Sequence, residues 1–531
     1  MSGRLATPRA PDIDGPKSAP FRGFSARQHG RARRSPLEWA RDHSRAFWIV
    51  VGLTVLAAVL RFATLGVQSY HHDEVVTASR VLRAGFGHAM HAVWFGESTP
   101  PVYYAIAWVW TQLVGTGAVG LRAISAVAGV LTVPVAYLIG AELRGRRAGL
   151  WAAALVAVNP MMLWYSQEAR AYALVALFGA LSALYWLRAE RRGRRRDYVC
   201  WGLWSGIAIA THYFVAFPIL AEALMLLRRR GLRESLVGMA VLAGLAIAVA
   251  PVAIHQMALG HAEWIGNFTL GHRLAETAAT FVTGETGDII ARPERPWLAI
   301  VPLALSLGAL ALLLRRRAGR ERRAAGRPLL LVAAGIGIPV AIALLDTSKN
   351  FILARNLIPA LVPLLAAIGI AVSSPASRRL GTVVGALLVA YSLGFCVLAS
   401  TDEQFQRPNW SAVAEHIGDP NGPRATVTWT LGEAPLRYYL STGAIQVRAQ
   451  EGYDWLVKEV DFVSDGKEPA PPRRLLGPGF HQVAREDAGR LYIRRYRFQQ
   501  PGLAPLRLRR LREANLDFRT NGVLLGGVGP E

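Results

Sequence analysis

The chain has 531 residues, 52% of them hydrophobic, with a mean hydropathy of +0.26, and is more apolar than a soluble protein of this size. In a soluble chain the formal net charge of +24 would suggest a nucleic-acid partner. Here the arginines gather in short joints between apolar runs of bilayer-spanning length, so the excess reads as positive-inside membrane topology and nucleic acid is set aside.

Residues 1–43 are rich in Arg, Pro, Ser and Gly, lack apolar periodicity and show no convincing signal-peptide cleavage site. A disordered basic cytoplasmic tail is expected over 1–44. A first span follows at about 47–65, and the arginines before it place the next loop outside. That loop opens with His71-His72-Asp73-Glu74. Further spans are expected near 119–140 and 148–164, joined by the basic stretch 142–147. Others are expected near 171–187, 235–258, 297–314, 328–345, 352–372 and 380–399. The basic blocks 188–196 and 228–233 both read as cytoplasmic, so an even number of crossings must lie between them. Two short helices turning at Thr211-His212-Tyr213 satisfy this.

Residues 100–114 begin with Pro100-Pro101 and carry Tyr103, Tyr104, Trp108 and Trp110. Aromatics of this kind favour an interfacial or re-entrant helix, the alternative being an ordinary span that breaks the charge rule. The preferred count is about 11 crossings, with the C-terminus outside. Cys200 and Cys396 both lie in apolar runs, at opposite faces on this topology, and imply no disulfide. The expected fold is therefore a polytopic α-helical membrane domain over 45–400, followed over 401–531 by an extracytoplasmic C-terminal region with a loose tail. Within that region the alternating runs at 425–429 and 491–496 read as strands and 410–417 as a helix, a small α/β domain. No internal repeat is visible.

Ionisable residues beside membrane spans are expensive, which selects the candidates. Asp73 can deprotonate an acceptor hydroxyl, and Glu74 can orient it or help hold a metal. Glu168 and Arg170 interrupt an apolar stretch at an outer span end. Arg122 lies at another, within reach of Asp73 or Glu74. Lys349, one of four lysines, and Arg355 lie six residues apart at an outer span end, where two cations could bind a phosphate. Each candidate has a plainer alternative: solvated loop charge, a local ion pair, or headgroup anchoring. His212 at its turn is more simply structural.

Taken together, four features resemble the GT-C glycosyltransferases, in particular the protein O-mannosyltransferase and aminoarabinose-transferase-like enzymes. They are the acidic pair after the first span, Thr99-Pro100-Pro101-Val102-Tyr103-Tyr104, the Gly120-Leu121-Arg122-Ala123-Ile124-Ser125 run, and Tyr165-Ser166-Gln167-Glu168-Ala169-Arg170. The resemblance covers about residues 45–400 and touches the stretch 409–417. It implies a polyprenyl-phosphate sugar donor, a lipid, glycan or protein acceptor at the outer face of the cytoplasmic membrane, and inversion at the anomeric carbon. Asp73 then stands at the family's base position and Glu74 at its partner's. Arg122 matches the family's Leu-Arg arginine, and Arg355 matches a basic residue that relatives often follow with Tyr where this chain has Asn356. Tyr103, Glu168, Arg170, His212 and Lys349 complete the substrate-binding set. Thr99 stands where many relatives carry His or Lys. No metal ligand is assigned and no cofactor is required, although metal use varies in the superfamily and leaves room for a divalent ion. The competing class is a transporter or flippase of lipid-linked sugars, which inverted repeats and mid-membrane charges would mark.

Overall fold

The computed structural model describes residues 36–531 apart from 83–84, 262, 286–294, 420–421, 441–444, 449–454, 466–475, 508–520 and 527–531. Most of the tail expected over 1–44 lies outside these residues.

Among the described residues, eight helices are long and apolar enough to cross a membrane, or up to nine if one bent pair counts as a span. The count of about 11 from sequence differs where helices are short or merged. Arg195–Ile209 has only 15 residues. Ala216–Ala258 runs for 43 residues but is interrupted at Gly231, whose φ of 76° and ψ of 168° are not helical. An L-residue rarely adopts that φ, so the glycine makes the reversal between two helices possible. Val102–Val114 has 13 residues, about 20 Å of helix and short of the ~30 Å hydrocarbon core, as an interfacial helix would be.

One end of the bundle is sewn together by arginine. Glu142 pairs with Arg188, Arg191 and Arg192. Arg144 pairs with Glu321, and Glu190 accepts from Arg327 at 2.8 and 2.9 Å. The helix Ala118–Arg144 carries Arg122 near its other end. The 22 residues between Arg122 and Arg144 span roughly 33 Å.

A broken span prepares that other end. Arg146–Val158 and Pro160–Ser166 meet at 55°, because Pro160 cannot donate an amide hydrogen and Asn159 caps the new helix through Met162 N. The carbonyls stranded at the break are met by side chains. Arg61 donates to Ala157 O at 2.9 Å and Val156 O at 3.3 Å, and Cys396 donates to Val158 O at 3.1 Å. Such compensation is what an apolar surround demands. The turn after the break, residues 167–171, therefore points back into protein and carries Glu168 and Arg170.

Residues after Thr401 add the helix Trp410–Ile417 and a six-stranded sheet. Its strands are β1 (Arg424–Trp429), β2 (Ile445–Arg448), β4 (Glu459–Asp465), β5 (Phe480–Ala488), β6 (Leu491–Phe498) and β8 (Asn521–Gly526), in the order β2-β8-β1-β4-β6-β5. Only β1 and β4 run parallel. Trp455–Val457 (β3) and Ala504–Leu506 (β7) form a separate two-stranded ladder. The helix and both strand segments expected from sequence are present. This region is tied to the acidic loop: Ser69 Oγ donates to Pro408 O at 3.0 Å, and the Tyr439 hydroxyl accepts from Tyr70 N at 2.7 Å.

Candidate active site

The loop after the first helix is wound around a single arginine. Arg122 is buried and all its hydrogen-bonding capacity is spent inside the protein. Its Nε and Nη2 donate to the two carboxylate oxygens of Glu74, each at 2.7 Å. The remaining bonds reach Leu65 O, Gln68 O and Ser69 O at 3.1, 2.7 and 3.0 Å. Glu74 also accepts from Ala169 N at 2.9 Å and from His71 N at 3.1 Å, the latter closing a capping box on the helix His72–Val76. Burial pushes the Glu74 carboxyl up, but Arg122 outweighs it and holds the group below the usual range. The pair thus ties the acidic loop to the Ala118–Arg144 helix and to the turn at 167–171.

Two more buried ion pairs brace the same turn. Arg170 donates to Glu97 at 3.2 Å and to Thr77 Oγ1 at 3.1 Å. Arg407 donates to Glu168 at 3.0 Å, also reaches Gln167 O and Trp164 O, and lies 4.4 Å from the centre of the Trp164 ring. Burial pushes the Glu168 carboxyl up despite Arg407. Neither Glu97 nor Arg407 was a candidate from sequence. Glu97 stands beside the Pro100-Pro101 pair and Arg407 directly before Pro408, and those prolines were the only signals for them.

Asp73 is in a different position. Its side chain is 27% exposed, and Arg355 Nη1 lies 3.7 Å from one carboxylate oxygen, beyond hydrogen-bonding distance. Burial pushes the Asp73 carboxyl up, but the charges of Arg170, Arg355, His71 and His72 prevail and hold it well below the usual carboxylate range. His212 is buried beside Tyr172 and shares a hydrogen bond with Asn356. Burial, then Arg170 and Arg355, push its pKa down to about 4, so it is neutral near pH 7. Tyr165 and Tyr172 pack with ring centres 4.8 Å apart, and the Tyr165 hydroxyl donates to Glu285. Tyr103 is fully buried and its hydroxyl has no hydrogen-bond partner among the described residues.

The structure therefore brings together Asp73, Arg170, Arg355 and His212, with Glu74–Arg122 and Glu168–Arg407 bracing the turn and loop around them. It does not bring in Lys349. That residue is exposed on the short turn Thr347–Lys349, where its charge acts on Asp346. Among the described residues no three His, Cys, Asp or Glu side chains converge into a group that could hold a metal. The two guanidiniums facing Asp73 also oppose a cation there. What the arrangement offers is an accessible carboxylate held ionised beside a cationic cradle.

The fold is that of a polytopic helical membrane protein and is similar to the GT-C fold. Residues 98–255 match the family described as dolichyl-phosphate-mannose-protein mannosyltransferase. A crystal structure of ArnT from Cupriavidus metallidurans bound to undecaprenyl phosphate superposes with a TM-score of 0.51 at 16% identity, over 84% of this chain and 97% of that one. The apo oligosaccharyltransferase of Archaeoglobus fulgidus gives a TM-score of 0.46 at 15% identity, over 75% of this chain and 60% of that one. The Pmt1-Pmt2 O-mannosyltransferase complex of S. cerevisiae gives 0.31 at 19% identity, over 42% and 33%. No curated protein sequence matches the chain. The resemblance to the GT-C superfamily drawn from the sequence motifs thus holds in the fold and in the family match.

Proposed function

We propose that the chain is an inverting glycosyltransferase that moves a sugar from a polyprenyl-phosphate donor to an acceptor at the outer face of the membrane. The observation that carries this reading is the accessible Asp73 carboxylate set against Arg355 and Arg170 in a chain of GT-C fold. The match of residues 98–255 and the polyprenyl phosphate bound by the ArnT structure support the donor class. The arginine-rich joints at the opposite end of the bundle support the outer face.

The acceptor's O–H or N–H gives its proton to Asp73 while its heteroatom bonds to the anomeric carbon. The bond from that carbon to the phosphate oxygen breaks on the opposite side. The electron pair leaves with polyprenyl phosphate, whose charge Arg355 and Arg170 hold. A single displacement inverts the anomeric centre. A carboxylate paired with a guanidinium is a weak base. When a donor phosphate engages Arg355, part of that cationic charge is neutralised and the proton affinity of Asp73 rises. Glu74, Arg122, Glu168 and Arg407 act in this reading as positioning residues, because their polar groups are turned toward one another and toward the backbone.

The test is turnover by purified protein in lipid vesicles with a polyprenyl-phosphate sugar. Asp73→Asn keeps size and removes the basic site, and is expected to lower kcat by roughly 10²–10⁴ with donor binding retained. Near-native turnover by that variant, where chemistry limits the rate, removes Asp73 as the base. Movement of donor lipid across the vesicle without transfer would favour a flippase instead.

A further inference from the structure

The site holds a second carboxylate that the reaction as described does not use. Glu285 follows the helix Leu270–Thr283, and three features place it. Gly284 takes a left-handed φ of 68°, and a Cβ there would come within 3.1 Å of Pro160 O, so only glycine lets the chain turn this close to the broken span. Asn159 Nδ2 donates to Phe281 O at 3.0 Å, which ties the helix end to the break itself. The buried Tyr165 hydroxyl then donates to the Glu285 carboxylate. Glu285 is half-buried, so the carboxylate retains access.

Its surroundings indicate what it meets. The charge of Glu285 acts on Arg355, as that of Asp73 does, and the Tyr165 and Tyr172 hydroxyls act on the same guanidinium. If Arg355 holds the donor's phosphate, the sugar attached to that phosphate must lie within one ring's width of it. The side chains grouped on that side of the site by contact with one another are Tyr165, Tyr172, His212 and Glu285. Aromatic faces with a few fixed polar groups make up a typical small-ligand site. Tyr165 can satisfy only part of the capacity of a carboxylate, which has about four lone-pair sites. The rest calls for hydrogen-bond donors, which ring hydroxyl or amino groups supply and a second carboxylate does not.

We propose that Glu285 is a specificity-determining residue of the donor site, accepting hydroxyl or amino hydrogens from a neutral or cationic sugar and excluding uronic acids. The inference rests on the transferase reading. It is tested with purified protein in vesicles and synthetic polyprenyl-phosphate donors carrying mannose, arabinose or glucuronate. The wild type is expected to favour a neutral donor over the glucuronate by about 100-fold or more in kcat/KM, since a like charge meets a fixed carboxylate. Glu285→Gln still accepts from Tyr165. It is expected to lower kcat/KM for the best neutral donor by about 10–100-fold and to shrink the neutral-to-uronate ratio by at least about 10-fold. Tyr165→Phe is expected to shift the ratio in the same direction by less. A ratio left unchanged in Glu285→Gln, whether or not overall activity falls, overturns the assignment, because a merely structural role lowers all donors together. A wild type that transfers none of the three sugars overturns the transferase reading, and this inference with it.

Discussion

Asp73 and Glu74 are neighbours in sequence and opposites in the fold. Successive side chains on a helix point about 100° apart, so a short helix at a loop can aim only one of the pair inward. Glu74 is the inward one, and its two oxygens meet Arg122, Ala169 N and His71 N. The motif singled the pair out from sequence, but adjacency alone could not say which member turns inward. Arg122 was legible as a charged residue at a span end, yet its partners come from about fifty residues upstream, a relation no local pattern encodes. Removing one partner of a buried pair leaves the other charged and uncompensated, at a cost of about 3–5 kcal/mol. Glu74→Gln is therefore expected to lower the melting temperature of the purified protein sharply, and Arg122→Met added to it should restore part of the loss. Wild-type stability in Glu74→Gln, with turnover lost, would instead make Glu74 a participant in the chemistry.

At the scale of elements, the broken span decides where the site forms. From sequence it was legible only as one apolar run near 148–164; the structure breaks that run at Pro160, and the bend depends on donors from elsewhere in the chain. Arg61 sits at the end of the first helix, where an arginine looks like a flanking charge. In the structure it is fully buried and bridges to the break, donating to Ser166 Oγ at 3.1 Å as well as to the stranded carbonyls. Gly129 leaves room for this: a Cβ there would lie 2.0 Å from Ser166 Oγ and 2.8 Å from Arg61 Nε. Gly129→Ala must displace the Ser166 hydroxyl, and buried overpacking of this kind typically costs about 1–3 kcal/mol. The turn at 167–171 should shift with it. The expected outcome is a lowered melting temperature together with a lowered kcat, although the glycine touches no substrate. A variant with both unchanged would mean that the Arg61–Ser166 contact does not set the bend.

At the scale of the whole molecule, the two ends of the bundle carry different kinds of charge. At one end arginines pair with Glu142, Glu190 and Glu321 in short joints between helices. At the other end, roughly 33 Å away along Ala118–Arg144, ion pairs are buried and tie the acidic loop to the turn at 167–171. On the proposed reading, the positive-inside bias puts the arginine-rich end in the cytoplasm and the site on the outer side. Interpreting 102–114 as too short to cross keeps that assignment consistent along the chain, since one more crossing before Ala118 would put the 144–147 joint on the wrong side. Labelling can test the assignment directly. Cys200 and Cys396 are replaced by serine, which preserves the donor to Val158 O. Single cysteines are then placed at Gly96, beside the site, and at Gly193 and Gly319, in the arginine-rich joints; an added Cβ at Gly96 and Gly319 would meet no atom within 4 Å. At Gly193 the nearest atoms are those of the Arg230 guanidinium, the far end of a long side chain, and the positive φ adds local strain. In intact cells a membrane-impermeant maleimide is expected to modify the probe at 96 and to spare those at 193 and 319 until the membrane is opened. Modification of 193 and 319 from outside, with 96 protected, would turn the molecule over. The proposed acceptor chemistry would then have to draw on cytoplasmic substrates.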